Sequence, residues 1–427
     1  MTTERIGISR RKAMLVGVVG AAAGIGGFLA NERRTYGDGG SSGKNIELLM
    51  GEEISQGERR REIVRRWNTN NSDKRVLLTE MPGATDNVRA EVVALASTRS
   101  RAFDVVAVDV AWTAEVAASN YFDPFPENDL EDPHGFFPGV LKGGQYRGEQ
   151  YTVPFAADAA LLFYRKDLVG DDPLPQTFME AVARGAEYKR DLGVDGGVGF
   201  VGQFADYEGL TVNILEAIWS NGGDPLEIDG NAENAIRNIV HSVRNSSILR
   251  DTDEQRSIKA FREGRAVFMR NWPYAYHQLF GDRALRDRMA FVALPWPSVL
   301  GGHYLGVVRY SDKKEAAKEF INNMARSDQQ DELFTCAGYP PVRTSSYDKR
   351  ACPDEGGNSE DAPPPPPDLG GFAAAVKDAM RHARLRPQKT WYSQYSRTLR
   401  RHVFRALSSD VDLDFAALRR ELRGLSG

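Results

Sequence analysis

Cysteine is nearly absent from this 427-residue chain: it has two, Cys336 and Cys352, and none before them. That scarcity leaves no C-x-x-C pair for redox or zinc chemistry, and no Cys near the N-terminus to carry a lipid. The six histidines are scattered without metal-ligand spacing. No Walker sequence, G-x-S-x-G elbow or H-E-x-x-H pair occurs, so catalysis has no local signature and neither cofactor nor metal is expected. An excess of one charge is also missing. A net charge of −4 gives no general attraction to a polyanion, which argues against a nucleic-acid partner. The hydrophobic share of 41% and charged share of 27% are those of an ordinary globular protein. The length predicts two or three compact units.

What is present begins with a leader. Ala13 to Ala30 is an uncharged apolar run behind the basic cluster Arg10, Arg11 and Lys12. A positive n-region before an apolar h-region is the export pattern, and Ser9-Arg10-Arg11 resembles a twin-arginine start, although Ala13 stands where that motif prefers Phe. The run reaches only about 27 Å as a helix, and no convincing A-x-A site precedes Asn31. Residues 1–30 are therefore an export signal or an N-terminal membrane anchor, with cleavage left open, and the body is expected outside the cytoplasm. In an oxidising compartment, two cysteines favour a bridge between Cys336 and Cys352, worth roughly 3 kcal/mol if unstrained. Two free thiols are the alternative.

Residues 31–44 read as a flexible linker, Gly- and Ser-rich from Tyr36 to Lys44. The strand-like Ile46 to Met50 follows, then a helical pattern with Ile63 and Trp67 on one face and Glu62 able to pair with Arg65 or Arg66. The run Arg59 to Arg61 is expected on a solvated face. Buried strands are expected at Phe103 to Val108 and Ala159 to Tyr164. Ser311 or Asp312 is placed to cap a helix carrying Ala316, Phe320 and Met324, with Asp312 and Glu315 in capping-box register. Phe415, Leu418, Leu422 and Leu425 form a stripe behind Asp412 or Asp414. Residues 353–371 collect prolines, glycines and acids, a surface loop by composition. Alternating strands and helices point to α/β lobes with mainly parallel sheets.

Gly197, Gly199 and Gly202 spell G-x-G-x-x-G, but mid-chain and beside Phe200 and Phe204, where a dinucleotide site is not expected. Glu52, Glu53, Asp109 and Asp158 follow apolar strands; they could serve as acid and base on a glycosidic bond, or accept sugar hydroxyls without reaction. Asn271-Trp272-Pro273-Tyr274-Ala275-Tyr276 sets three rings around a proline turn after the strand-like Ala266 to Met269. Flat rings beside carboxylates suit sugar recognition, since rings cover C–H patches while acids accept hydroxyl hydrogens. Core packing is the competing reading for each ring.

These segments resemble the family 1 extracellular solute-binding proteins, the sugar-capturing subunits of ABC importers. The resemblance runs through Tyr151-Thr152-Val153-Pro154, Asp158, Leu162 to Leu168, and Trp219-Ser220-Asn221-Gly222-Gly223-Asp224. It continues in Phe261 to Ala266, Asn271 to Tyr276, Leu305-Gly306-Val307, and Arg384, Arg386, Pro387 and Tyr392. It implies an α/β, two-lobed periplasmic-binding-protein-like fold (type II), each lobe discontinuous, with the ligand cleft between lobes. The lobes would be 45–157 with 303–343, and 158–302 with 344–427. The ligand-binding residues implied are Glu52, Glu53, Asp109, Trp112, Asp158, Trp219, Gly222, Gly223, Trp272, Tyr274, Tyr304 and Trp391, with Tyr207 and Glu208 weaker. His303 and Tyr304 depart from the family, which often has a second glycine beside Gly306, and the lipobox Cys is missing.

The expectation is a monomeric, non-enzymatic receptor that binds a carbohydrate and presents it to an ABC permease, with membrane association through the N-terminal segment if uncleaved. A secreted glycoside hydrolase using the cleft carboxylates is one rival. An anchored sensing or scaffold domain without a transport role is the other.

Overall fold

The computed structural model describes residues 34–36, 45–52, 58–82, 85–349, 351–352 and 368–425, so the apolar leader lies outside the described residues. Among those described, no helix is long and apolar enough to cross a membrane. Thirteen strands follow in chain order. They are β1 Arg34–Tyr36, β2 Ile46–Gly51, β3 Val76–Met81, β4 Val105–Asp109, β5 Gln145–Tyr146, β6 Glu149–Gln150 and β7 Thr152–Asp158. After these come β8 Leu161–Arg165, β9 Val198–Val201, β10 Ala266–Asn271, β11 Met289–Ala293, β12 Val299–Val307 and β13 Arg384–Leu385.

Two sheets organise the chain. The first runs β1-β3-β2-β4-β12-β13 with β7 also on β12, and the second runs β11-β8-β10-β9. Both are mixed, which corrects the expectation of mainly parallel sheets: β2 is parallel to β3 and β4, while β12 is antiparallel to β4 and β7. The reason is topological, because the chain passes between sheets from β7 through Ala159-Ala160 into β8, and returns from β11 into β12 against the direction of β4. Strands such as β7 and β10 are buried without alternation, with helices packed against each of them.

Local differences from the sequence reading have identifiable causes. Residues 34–36, within the expected linker, form β1 against β3, pairing Arg34 with Glu80 and Tyr36 with Leu78. The arginine run is not a solvated face: Arg60 and Arg61 are buried and converge on Glu80, at 2.8 and 2.6 Å. Glu80 is 1% exposed, and a carboxylate buried that deeply needs cations beside it. Ile63, Val64 and Trp67 do face the core, Trp67 meeting Phe320 edge-on at 5.3 Å.

No capping box forms before the Lys314–Ala325 helix, because the Ser311 hydroxyl is engaged with Asp104 at 2.6 Å and Asp312 turns outward to Arg101. At the C-terminal helix Phe415–Arg423, Asp414 does cap, accepting from the Ala417 N–H at 2.9 Å. Residues 353–367 lie outside the described residues, and Leu369, expected in the same loop, opens a helix to His382 capped by Asp368. Cys336 and Cys352 are joined by a disulfide, Cα atoms 5.0 Å apart. The glycine triplet serves packing. A Cβ on Gly199 would stand 2.3 Å from the Gly185 carbonyl carbon, so a helix and β9 approach backbone to backbone there.

Candidate functional site

Three strand ends supply the first cluster. Asp158 closes β7, Gly301 pairs with it across β12, and Trp272 and Tyr274 follow the end of β10. Trp272 is held from both sides of its backbone and ring. Its N–H donates to Asn271 Oδ1 at 2.7 Å, its Nε1 donates to Glu254 Oε1 at 3.4 Å, and the Arg270 guanidinium lies 4.0 Å over the ring. Arg270 is fully buried and clamped by Glu216 at 2.9 and 2.7 Å, with Gln203 Oε1 at 3.0 Å. Glu216 also accepts from the Val299 N–H at 3.0 Å, which ties the start of β12 to the floor beneath Trp272. Fixed rings and satisfied buried charges give a rigid wall, the condition for a preorganised binding surface.

Burial dominates the electrostatics of this cluster. Asp158 is pushed up to about 7 by burial, then by the nearby Asp109 charge, against the opposing pull of Arg270. Burial also raises Glu254 above the usual carboxylate range. Tyr207 and Tyr274, both beside Glu254, are raised well above the usual phenol value, again chiefly by burial. Gly301 lets β12 lie close against the ring: a Cβ there would stand 3.2 and 3.3 Å from Trp272 ring atoms and 3.5 Å from Asp158 Cβ.

The second cluster joins the sheets through a cation. Arg386 is buried and bonds Asp109, at the end of β4, while its Nη1 donates to Glu208 Oε1 at 3.0 Å. Glu208 begins the Glu208–Ser220 helix and accepts further from Tyr392 and from the Ser396 hydroxyl, the latter at 2.6 Å. Asp109 also accepts from the Ala111 N–H at 2.8 Å, and His303 pairs with it across β12, held neutral-leaning by its own burial. A third group lines a pocket of about 420 Å³: Trp219, Gly222, Gly223, Asp224, Arg384 and Lys389, with Arg384 5.8 Å over the Trp219 ring. Trp219 and Trp272 both pack against the small cluster Val212, Leu215 and Val299, so the two groups are neighbours.

The residues named from the sequence are thus divided. Asp158, Trp272 and Tyr274 come together; Trp219, Gly222 and Gly223 share the pocket beside them; Asp109 is engaged by Arg386. Trp112 is 2% exposed within an apolar cluster, and Tyr304 is fully buried with its hydroxyl donated to the Val140 carbonyl at 2.7 Å. Trp391 is half-buried on Tyr395, at 6.4 Å. Glu52 directly follows β2 with its N–H on the Met81 carbonyl at 2.8 Å, and Glu53 lies outside the described residues. Sequence reasoning did not reach Glu254, the Arg270–Glu216 pair, or the bridging role of Arg386. Glu254 carries one faint signal, standing after Asp253 at a helix start. Among the described residues no group of His, Cys, Asp or Glu is arranged to hold a metal.

The two sheets, with the chain crossing between them and acids and rings gathered at their strand ends, make a two-lobed α/β fold. Residues 62–364 match the bacterial extracellular solute-binding proteins, and this chain belongs to that family. A probable ABC transporter-binding protein of Deinococcus radiodurans is 26% identical over 296 residues, covering 64% of this chain and 70% of the relative. Maltose-bound MalE3 of T. maritima superposes with a TM-score of 0.76 at 26% identity, covering 90% of this chain and 99% of that one. For fold alone, the GacH receptor of Streptomyces glaucescens, solved with and without acarbose, gives 0.74 at 21% identity over 89% of this chain and 98% of the other. UgpB of Mycobacterium tuberculosis, in complex with glycerophosphocholine, gives 0.72 at 17% identity over 91% and 99%.

Proposed function

We propose that this protein captures a carbohydrate outside the cytoplasm and delivers it to the membrane subunits of an ABC importer, the lobes closing on the guest. The observation that carries the reading is the meeting of Asp158 and Trp272 beside Gly301, which brings an acid and a ring together at adjoining strand ends. A ring face covers the apolar side of a pyranose while the acid accepts its hydroxyls. The names of the MalE3 and Deinococcus relatives support sugar and ABC transporter respectively. Asp158, Trp272 and Tyr274 form the centre of the site in this reading, Trp219, Gly222 and Gly223 an extension, and Glu52, Glu53 and Trp391 the outer contributors, whereas Trp112 and Tyr304, expected in the site, are core residues and Asp109 is taken up by Arg386. The lobes divide near 157/158 and 302/303, the protein acts as a monomer without catalysis, and the N-terminal segment directs export.

Binding is tested by a thermal-shift screen of mono- and oligosaccharides on the body from Lys44 onward, followed by calorimetric titration. A raised Tm with at least one sugar, lost in Asp158→Ala, is the expected result. No shift with any sugar would remove the receptor reading, and released reducing ends would replace it with hydrolysis.

A further inference from the structure

We propose that the outward face of the Tyr392–Ser408 helix is a docking surface for anionic phospholipid headgroups, holding the protein against the outer face of the membrane. Elsewhere, runs of arginine are paired internally. In the Arg59–Asn70 helix, Arg59 and Arg66 pair with Glu332, Arg60 and Arg61 with Glu80, and Arg65 with Glu62. The later helix differs. Its buried side carries Tyr395, Leu399 and Val403, and Arg400 on its flank pairs with Asp86 at 2.8 Å. Arg397, Arg401 and Arg405 stand exposed at four-residue steps, a stripe about 12 Å long. Arg420 is exposed on the Phe415–Arg423 helix packed alongside. Arg401 meets Glu421, whereas Arg397, Arg405 and Arg420 form no ion pair among the described residues.

Charge is segregated along the chain in the same sense. Residues 368–427 hold twelve Lys and Arg against six Asp and Glu, while the whole chain has 55 against 59, so the cationic excess gathers at this end. Two of the three acids in the turn between the helices are engaged: Asp412 with Arg244, and Asp414 as the cap of the next helix. Asp410 and Glu421 are the acids left near the face. The choice between a lipid and a protein follows from what the face lacks. Among the described residues the large hydrophobics left exposed are Val93, Val194 and Val411, none of them on this helix. A specific protein contact is centred on an apolar or aromatic anchor, and this face offers spaced point charges instead. Guanidinium groups suit phosphate oxygens, and the export proposed above brings the chain to a phosphate-bearing leaflet.

Vesicle flotation tests the proposal on the chain from Asn31 onward, which keeps every described residue and lacks the apolar leader that would enter a bilayer by itself; circular dichroism checks the fold. At low salt, phosphatidylcholine vesicles with about one third phosphatidylglycerol are expected to carry at least about tenfold more protein than phosphatidylcholine alone, and the preference should vanish at about 0.5 M salt. Arg397→Gln with Arg405→Gln should cut that preference at least about threefold. Arg190→Gln with Arg283→Gln removes the same charge at exposed sites elsewhere and should leave it unchanged. Equal binding to the two vesicle types overturns the proposal and leaves the face to an acidic protein surface. Equal losses in the two double variants overturn it as well, by making net charge rather than this helix the cause. Sugar binding is read separately, so failure here leaves the receptor standing, and a failed sugar screen leaves this surface untouched.

Discussion

Asp109 with Glu208, and Asp158 with Glu254, are two pairs of acids at the ends of strands or the starts of helices, both largely withdrawn from water. The first pair encloses Arg386; among the described residues the second forms no ion pair, and only the committed Arg270 acts on it. The pairs therefore do different things with the same chemistry. A buried carboxylate that meets a guanidinium is a structural tie, and here it ties β4 of one sheet to the helix that begins at Glu208 beside the other. Where no cation pairs with the acids, burial instead pushes them toward the neutral form, and the rings of Trp272 and Tyr274 stand beside them. The lesson is that acid residues at strand ends mark a binding surface only after the internal cations have been assigned.

Removing the cation from the first pair should produce the largest effect. Arg386→Met leaves Asp109 and Glu208 buried without their charge partner, and breaking a buried pair this way costs about 3–5 kcal/mol. Urea unfolding at neutral pH measures it. A loss below about 1 kcal/mol would mean that solvent reaches the bridge, and the contrast between the pairs would collapse.

The sequence made part of this contrast readable. Apolar runs such as Ile46 to Met50 and the stripe from Phe415 are local patterns, and they became β2 and the C-terminal helix. Asp158 and Trp272 stand out in the sequence because an acid and a ring after apolar runs, and the family resemblance, single them out, and the structure sets them side by side at Gly301. Arg386 bonds Asp109 at a separation of 277 residues and Glu208 at 178, so no local spacing could announce the bridge. The same holds for Arg60 and Glu80, 20 residues apart on different elements, where a charge run looked like a solvated surface. Glu254 reaches Trp272 from a separate helix 18 residues earlier, and periodicity within that helix says nothing of its neighbour. The crossing direction of β12, which makes the sheets mixed, is likewise a property of the whole path.

The second pair should respond in binding. Trp272→Leu is expected to reduce sugar affinity by about 10- to 100-fold, or 1–3 kcal/mol, through loss of the stacking surface. Calorimetric titration reads it, and a circular dichroism spectrum checks the fold, since Trp272 also packs against all three apolar clusters. Unchanged affinity would move the guest away from β10.

Stability against pH sharpens the difference further. Asp158 has a folded value of about 7 against an ordinary 3.8, so its contribution is full below the ordinary value and is lost as pH rises through about 7. The groups acting on it are Asp109, Arg270, Tyr274 and Tyr347. Asp158→Asn carries no such titration. The variant should therefore gain about 1–3 kcal/mol relative to wild type between pH 4 and 8, discounted for partial exposure of the side chain. Parallel pH curves for the two proteins would show that Asp158 already has a compensating charge.

The smallest expected effect tests the space between ring and acid. In Gly301→Ala the new methyl meets the Trp272 ring at 3.2 and 3.3 Å, so the ring must give by a few tenths of an ångström. A shift that small at a surface ring costs about 1 kcal/mol of stability or less, because Trp272 is only partly enclosed. Affinity should fall as well, since displacing the ring moves the surface proposed to meet the guest. A variant that keeps full affinity would make Gly301 a packing residue alone, and the guest would not rest on this ring.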